Sequence, residues 1–269
     1  MPKFFVANHQ IQDERITILG EDVNHIVNVL RLQKQDEIYV CDKDNAITYQ
    51  TRIMDISKEK VVCQIIEPIK ETTESDVEVT IFQGLPKADK MEYIIQKATE
   101  LGGKEIFPVA MKRCVVKLDE KDEAKKISRW QKIAEVAAKQ SGRDRIPNIH
   151  SVIKFQEVKN IISEFDLFLI AYEGEKQTTL KQILVKERMK RLEENLQNLA
   201  KMQLGDRVEK EKIPLKIGVM IGPEGGIEGE EVDELKQNGA QVVTLGNRIL
   251  RTETASLAIL SSIMYEFEN

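Results

Sequence analysis

The chain has 269 residues, with 40 Lys and Arg against 45 Asp and Glu for a formal net charge of -5, and it is 41% hydrophobic and 32% charged. That is enough apolar material for one large α/β domain or two smaller ones, and two are expected. No apolar run approaches the roughly 20 residues of a membrane-spanning helix, and the start Met1-Pro2-Lys3-Phe4-Phe5-Val6 lacks the apolar core of a secretion signal, so a cytoplasmic protein without membrane contact is expected.

Residues 1 to about 72 carry short stretches, 15–19, 37–41, 47–53 and 60–66, in which β-branched residues partly alternate with polar ones. Polar turns such as Asp42-Lys43-Asp44-Asn45 separate them, the pattern of a small β-barrel or sandwich. Val23, Ile26, Val27 and Leu30 recur at helical spacing and predict one helix over 22–32, with Arg31 near its end. The polar, aperiodic stretch 68–76 places a domain boundary there, giving domains 1–72 and 73–269. Cys41, Cys63 and Cys114 are odd in number, far apart and without a Cys-x-x-Cys pair, which points to reduced thiols.

Beyond the boundary, strands alternate with helices, the signature of a mostly parallel α/β sheet. A strand over 77–83 precedes a helix over 88–101 that turns Met91, Ile94, Ile95, Ala98 and Leu101 to one face and stops at Gly102-Gly103. A short strand over 106–110 contains Pro108, which argues for an edge or terminal position. A helix over 128–140 turns Ile127, Trp130, Ile133, Ala134 and Ala137 inward and ends at Gly142. Residues 166–172 and 215–221 are near-continuously apolar, as buried parallel strands are. A helix over 229–237, a strand over 241–245 and a helix over 254–267 follow. The charged insertion 176–212 spaces Leu180, Ile183, Leu184, Leu192, Leu196 and Leu199 as one or two amphipathic helices would. From Lys104 to Arg145, 12 basic residues face 7 acidic ones, net +5. A polyanion fits that patch, but so do solvated helix faces with acids beside them.

Several chemistries are excluded by spacing. There is no G-x-G-x-x-G fingerprint, no P-loop, no G-x-S-x-G elbow and no His-Glu-x-x-His, and His9, His25 and His150 are scattered, so no metal is expected. Two loops remain, 221–227 (Ile-Gly-Pro-Glu-Gly-Gly-Ile) and 245–255 (Leu-Gly-Asn-Arg-Ile-Leu-Arg-Thr-Glu-Thr-Ala), each between a strand and a helix. In a parallel sheet both lie at carboxyl strand ends, where ligands bind, and glycine lets a ligand approach the backbone. Glu228, Glu230 and Glu231 favour the next helix start and make it a poor phosphate site, which points to a ligand read by backbone hydrogen bonds, such as an adenine and a zwitterionic tail, instead of a triphosphate. Arg248 and Arg251 beside a buried strand must pair or bind something, and an ion pair from Arg251 to Glu253 or Glu224 is the plain structural alternative.

With both loops in hand, the sequence resembles the ribosomal RNA uracil-N3 methyltransferases of the knotted SPOUT superfamily, the RsmE type. The shared segments are 25–31 (His-Ile-Val-Asn-Val-Leu-Arg), 83–87 (Gln-Gly-Leu-Pro-Lys), 95–102, 129–133, 140–143, 145–147, 221–226 and 245–255. Departures are Gln35-Asp36 where the family has Gly-Asp, Gly103 where a small aliphatic is usual, and the long 176–212 insertion. The resemblance implies a PUA-like RNA-binding β-barrel followed by a SPOUT methyltransferase domain with a C-terminal trefoil knot. General topology rules would vote against that knot. It also implies a homodimer that uses S-adenosyl-L-methionine to methylate N3 of one uridine near the decoding centre of 16S rRNA in the small ribosomal subunit.

Carried onto this chain, the cofactor residues are Tyr172, Gly222, Glu224, Gly225, Leu245, Gly246, Ile249, Leu250 and Thr252, acting mainly through backbone. Uracil N3–H is a weak acid, so transfer needs the proton removed or the anion on O2 and O4 stabilised. Glu224 is the candidate base and Arg251 the candidate anion stabiliser. RNA contacts are expected from Arg31, Lys87, Lys97, Arg113, Lys117, Arg143 and Arg145, and Arg113→Ala is expected to cut RNA affinity while sparing the cofactor. Alternatives are a related SPOUT enzyme acting on tRNA, a non-enzymatic ribosome-assembly RNA-binding protein, and an enzyme of free nucleotides.

Overall fold

The computed structural model describes residues 1–203 and 214–268. They divide into two compact units, Met1–Glu74 with Glu135–Ile146, and Ser75–Ala134 with Pro147–Asn269.

The first unit holds a six-stranded sheet in the order β1-β4-β5-β6-β3-β2, made of β1 (Lys3–Val6), β2 (Ile11–Gln12), β3 (Arg15–Leu19), β4 (Glu37–Asp42), β5 (Ile47–Ile56) and β6 (Lys60–Pro68). Strand β1 runs parallel to β4 and the other pairs are antiparallel. Alternation along the strands turns Ile16 and Ile18, Ile38 and Val40, and Val61 and Cys63 to one face. There they share a core with Phe4, Val6 and Ile53, so the sheet curls around its own apolar face. The predicted helix 22–32 is shorter. Helix α1 (Glu21–Asn24) runs into a π turn, His25–Val29. The turn closes with the Leu32 N–H donating to the Ile26 carbonyl at 3.0 Å and Arg31 at φ 55°. That bond reaches back six residues, one more than the bond of a Schellman end, after a π turn and over a left-handed residue, and Val29 is left on the surface.

Residues 135–146 complete this unit through Asp144. Its carboxylate takes the Lys3 ammonium at 2.7 Å, the Thr48 hydroxyl, and the Thr73 amide at 2.8 Å, and it is 4% exposed. Burial alone would raise this carboxyl, but the bonds from Lys3, Thr48 and Thr73 outweigh it and hold the pKa at about 2.

The second unit is wholly parallel, in the order β10-β8-β7-β12-β11-β13 with β9 also on β8. Its strands are β7 (Val77–Gly84), β8 (Glu105–Ala110), β9 (Asn148–Ile149), β10 (Ile153–Lys154), β11 (Leu167–Ala171), β12 (Leu215–Ile221) and β13 (Gln241–Val243). The helices are α2 (Lys90–Glu100), α3 (Glu120–Ser141, whose last turns belong to the first unit), α4 (Phe155–Ile161), α5 (Leu180–Gln203), α6 (Gly229–Gln237) and α7 (Thr252–Phe267). Phe82, Phe168, Ile170, Met220 and Leu235 meet in its core.

Pro108 is not on an edge strand. Strand β8 is flanked on one side by β7 and on the other by β9 at residues 105–106 and β10 at 109–110. Pro108 falls in the gap between these two short neighbours, where its missing N–H interrupts no ladder. Helix α3 begins at Glu120, well before the predicted start. Its first turn carries Glu120, Asp122 and Glu123 and is held by Asp119, whose side chain accepts the Asp122 N–H at 2.8 Å. The predicted insertion is one helix through Gln203, with Leu180 and Leu184 buried and Leu192 and Leu196 exposed. Its remainder, 204–212, and the Leu199 side chain lie outside the described residues. Among the described residues no helix is long and apolar enough to cross a membrane.

Candidate functional site

The carboxyl ends of β11, β12 and β13 open onto a cavity of about 740 Å³. Tyr172, Gly222, Glu224, Gly225, Leu245, Gly246, Ile249, Leu250 and Thr252 all line it, as do Lys90, Arg248 and Arg251. Volume and position suit a nucleoside-sized ligand at the switch region of a parallel sheet. Ile249 is 85% exposed, a large apolar side chain left at the rim for an occupant to cover.

A buried polar brace forms the floor. Gln83, Thr252 and Ser256 are almost fully buried. Ser256 Oγ donates to Gln83 Oε1 at 2.6 Å, Gln83 Nε2 donates to Thr252 Oγ1 at 2.9 Å, and Thr252 Oγ1 donates to the Gly222 carbonyl at 2.6 Å. This chain ties the end of β7 to the loop after β12 and to the start of α7. The Thr252 hydroxyl is therefore committed to the protein itself. Glycine at 222 serves the same compaction, since a Cβ there would lie 2.8 Å from Ile227 Cγ1 and 2.9 Å from the Gly226 carbonyl carbon. Gly246 differs, with φ 119° and open space where a Cβ would stand, so its backbone faces the cavity unshielded.

Glu224 is anchored from two sides. Lys90 Nζ lies 2.9 Å from its Oε1, and the Lys87 amide donates to the carboxylate at 3.0 Å. Burial works to raise the Glu224 pKa, and the bonds from Lys90, from its own amide and from Lys87 overcome it and leave it lowered. Lys90 also reaches Glu253 Oε2 at 3.4 Å. Both carboxylates considered as partners of Arg251 are thus taken by Lys90, and Arg251 stands exposed at the α7 N-terminus on the cavity wall. At α6, Glu231 accepts the Glu228 N–H at 3.0 Å and the Lys112 N–H at 3.1 Å, so a buried carboxylate occupies that helix start.

Residues 73–264 match the RNA methyltransferase domain family, and residues 18–66 match the RNA methyltransferase PUA domain. The chain is 37% identical to ribosomal RNA small subunit methyltransferase E of Bacillus subtilis, over 100% of this chain and 98% of that one.

This chain belongs to the ribosomal RNA small subunit methyltransferase E family.

Its counterpart in Mesomycoplasma hyopneumoniae is 30% identical over 97% of this chain and 98% of that one. The crystal structure of methyltransferase E from Neisseria gonorrhoeae bound to S-adenosyl methionine is 28% identical, with a TM-score of 0.77 over 98% of this chain and 97% of that one.

The basic residues read as methyltransferase RNA contacts fare differently. Arg31, Lys87, Lys117 and Arg145 are exposed. Lys97 is half-buried and paired with Glu100 at 2.8 Å. Arg113 is exposed, but its Nη1 donates to the Gly225 carbonyl at 3.0 Å and its Nε lies 3.5 Å from Glu228. Arg143 is corrected. It is 5% exposed and forked onto Glu74, so its charge is spent inside the first unit and no phosphate reaches it. At least six of the twelve basic residues between Lys104 and Arg145 pair with acids, which discounts the patch.

Sequence reasoning missed Lys90 and the brace, and considered Glu253 only as a partner of Arg251. The signals were present. Lys90 sits in the first turn of a helix, where the dipole disfavours a cation unless a carboxylate holds it. Gln83 is a polar residue in the fully buried stretch 79–84 of β7, and Ser256 falls on the buried face of α7.

Proposed function

We propose that this protein methylates N3 of one uridine in 16S rRNA of the small ribosomal subunit, with S-adenosyl-L-methionine as donor. The supporting observation is the cavity, which gathers the glycine-rich loop, the Leu245 to Thr252 loop and Tyr172 around one nucleoside-sized space. The residues fit the donor. Exposed Ile249 offers apolar cover for a purine, the open backbone at Gly246 allows close approach, and the carboxylates on the wall suit a cationic ligand. Tyr172, Gly222, Gly225, Leu245, Gly246, Ile249 and Leu250 would hold it, with Thr252 acting from beneath through the brace.

Bound S-adenosylmethionine supplies an electrophilic methyl group on its sulfonium. As the N3–CH₃ bond forms and the S–CH₃ bond breaks, the N3–H bond must also break. Glu224, kept ionised by Lys90 and the Lys87 amide, takes that proton and passes it to solvent. Arg251, without an ion pair to Glu224 or Glu253, faces the negative charge that develops on O2 and O4. Residues 1–72 act as the RNA-binding domain and 73–269 as the transfer domain. Arg31 contacts RNA from the first, and Lys87, Lys97, Arg113 and Lys117 from the second, while Arg145 adds an exposed charge. The enzyme works in the cytoplasm as a homodimer.

The test is incubation with labelled S-adenosylmethionine and small subunits from a strain lacking the gene, then nucleoside mass spectrometry. Labelled 3-methyluridine is expected. Label in tRNA alone, or none with cofactor bound, would refute the reading.

A further inference from the structure

Lys90 and Glu224 on the cavity wall, and Glu253 beside it, form an unbroken chain of charges. Lys90 Nζ lies 2.9 Å from Glu224 Oε1 on the loop after β12 and 3.4 Å from Glu253 Oε2 in the first turn of α7. Glu253 Oε2 is buried and has no hydrogen-bond donor, so the ammonium is the charge that compensates it. Lys90 itself is about a third exposed and stands at the positive end of α2, a place for a cation that these two acids help to make favourable. The other cavity charges leave the chain alone, since no ion pair joins Glu224 or Glu253 to Arg248 or Arg251 among the described residues.

We infer that Lys90 is a positioning residue, a latch that fixes the Glu224 loop to α2 and α7 and so presents the Glu224 carboxylate to the uracil edge. The inference rests on the proposed transfer reaction for its chemical consequence, but the latch itself does not. Lys90 bonds Glu224 on one oxygen while the Lys87 amide spans both, at 3.0 and 3.3 Å. Without Lys90 the carboxylate keeps only backbone amide bonds, from Lys87 and from Glu224 itself, and loses its tie to the α2 side chain and to Glu253. Loss of the latch should therefore damage the chemical step more than cofactor binding, which depends on the backbone of the loops.

The test compares the full chain with Lys90→Met and Lys90→Arg. Two readouts are taken, amide exchange of residues 222–227 without substrate, and kcat and KM with S-adenosylmethionine and small subunits. For Lys90→Met the expected results are faster exchange in 222–227 and a 10- to 100-fold lower kcat, with KM for the donor within about threefold. Lys90→Arg should restore most of both. Lys90→Met added to Glu224→Gln should slow the reaction no further, because both changes act through one carboxylate. If Lys90→Met folds poorly, Lys90→Met with Glu253→Gln removes the stranded buried carboxylate and is measured instead. Unchanged exchange and kcat, or additive losses with Glu224→Gln, would overturn the latch. If the unmodified protein fails to methylate uridine, the functional reading falls, while the exchange comparison still decides whether Lys90 holds the loop.

Discussion

Thr252 Oγ1 and the Gly222 carbonyl are joined by a 2.6 Å hydrogen bond beneath the cavity, and Gln83 Nε2 donates to the same hydroxyl. The bond links the loop after β12 to the first residue of α7, 30 residues on in sequence. Thr252→Val keeps the shape and leaves a buried carbonyl and a buried amide each short of a partner. The expected cost is about 1–3 kcal/mol in denaturant unfolding, with donor affinity reduced about tenfold by calorimetry. An unfolding curve like that of the parent would mean that the brace is incidental.

Ile249 provides the opposite case, because it touches little in the protein. Ile249→Ser should leave stability within about 0.5 kcal/mol. If an occupant covers this side chain, the lost burial is worth about 1.5–3 kcal/mol, so donor affinity should fall at least about tenfold. Equal affinities in the two proteins would place the ligand elsewhere.

For RNA, Lys117 is now a cleaner probe than Arg113. Lys117→Ala should weaken RNA binding and lower the salt slope by about 1, with donor affinity unchanged. Arg113→Ala should reduce both affinities, because the guanidinium also holds the Gly225 carbonyl of the cavity loop. This replaces the expectation that Arg113 affects RNA alone. A Lys117→Ala protein with the parental salt slope would remove Lys117 from the phosphate contacts.

Asp144 governs the acid limit of the first unit. Its folded pKa, about 2, lies below the ordinary 3.8, so the folded state favours the ionised form. The stabilisation is complete above pH 3.8 and is lost as pH falls toward 2, a contribution on the order of 2 kcal/mol. Asp144→Asn strands Lys3, whose side chain is 8% exposed, and should cost about 3–5 kcal/mol at neutral pH. Its unfolding midpoint should also respond less to pH between 4 and 2 than that of the parent.

Most strands and helices were legible because their apolar periodicity is local. Strand β12 and helix α6 match the expected residues, and both cavity loops follow parallel strands as their glycines and position implied. What escaped depends on pairing at a distance. Pro108 could not be placed without knowing that β9 and β10 leave a gap opposite it. Arg143 reads as one more surface cation until Glu74 is found beside it. The expected cofactor residues line one cavity, but their partners escaped, since Lys90 lies more than 130 residues from Glu224 in the chain.

The Asp144 cluster also bears on how the protein is made. Lys3, Thr48 and Thr73 are synthesised long before the carboxylate that they share, and Ala138 completes the small apolar cluster around Phe5 and Cys41. A nascent chain stopped after residue 74 has all six strands but leaves Lys3 without its counter-ion. The amino-terminal unit is therefore finished only when about half of the polypeptide has left the ribosome, and it then closes on a segment that arrives from within its neighbour.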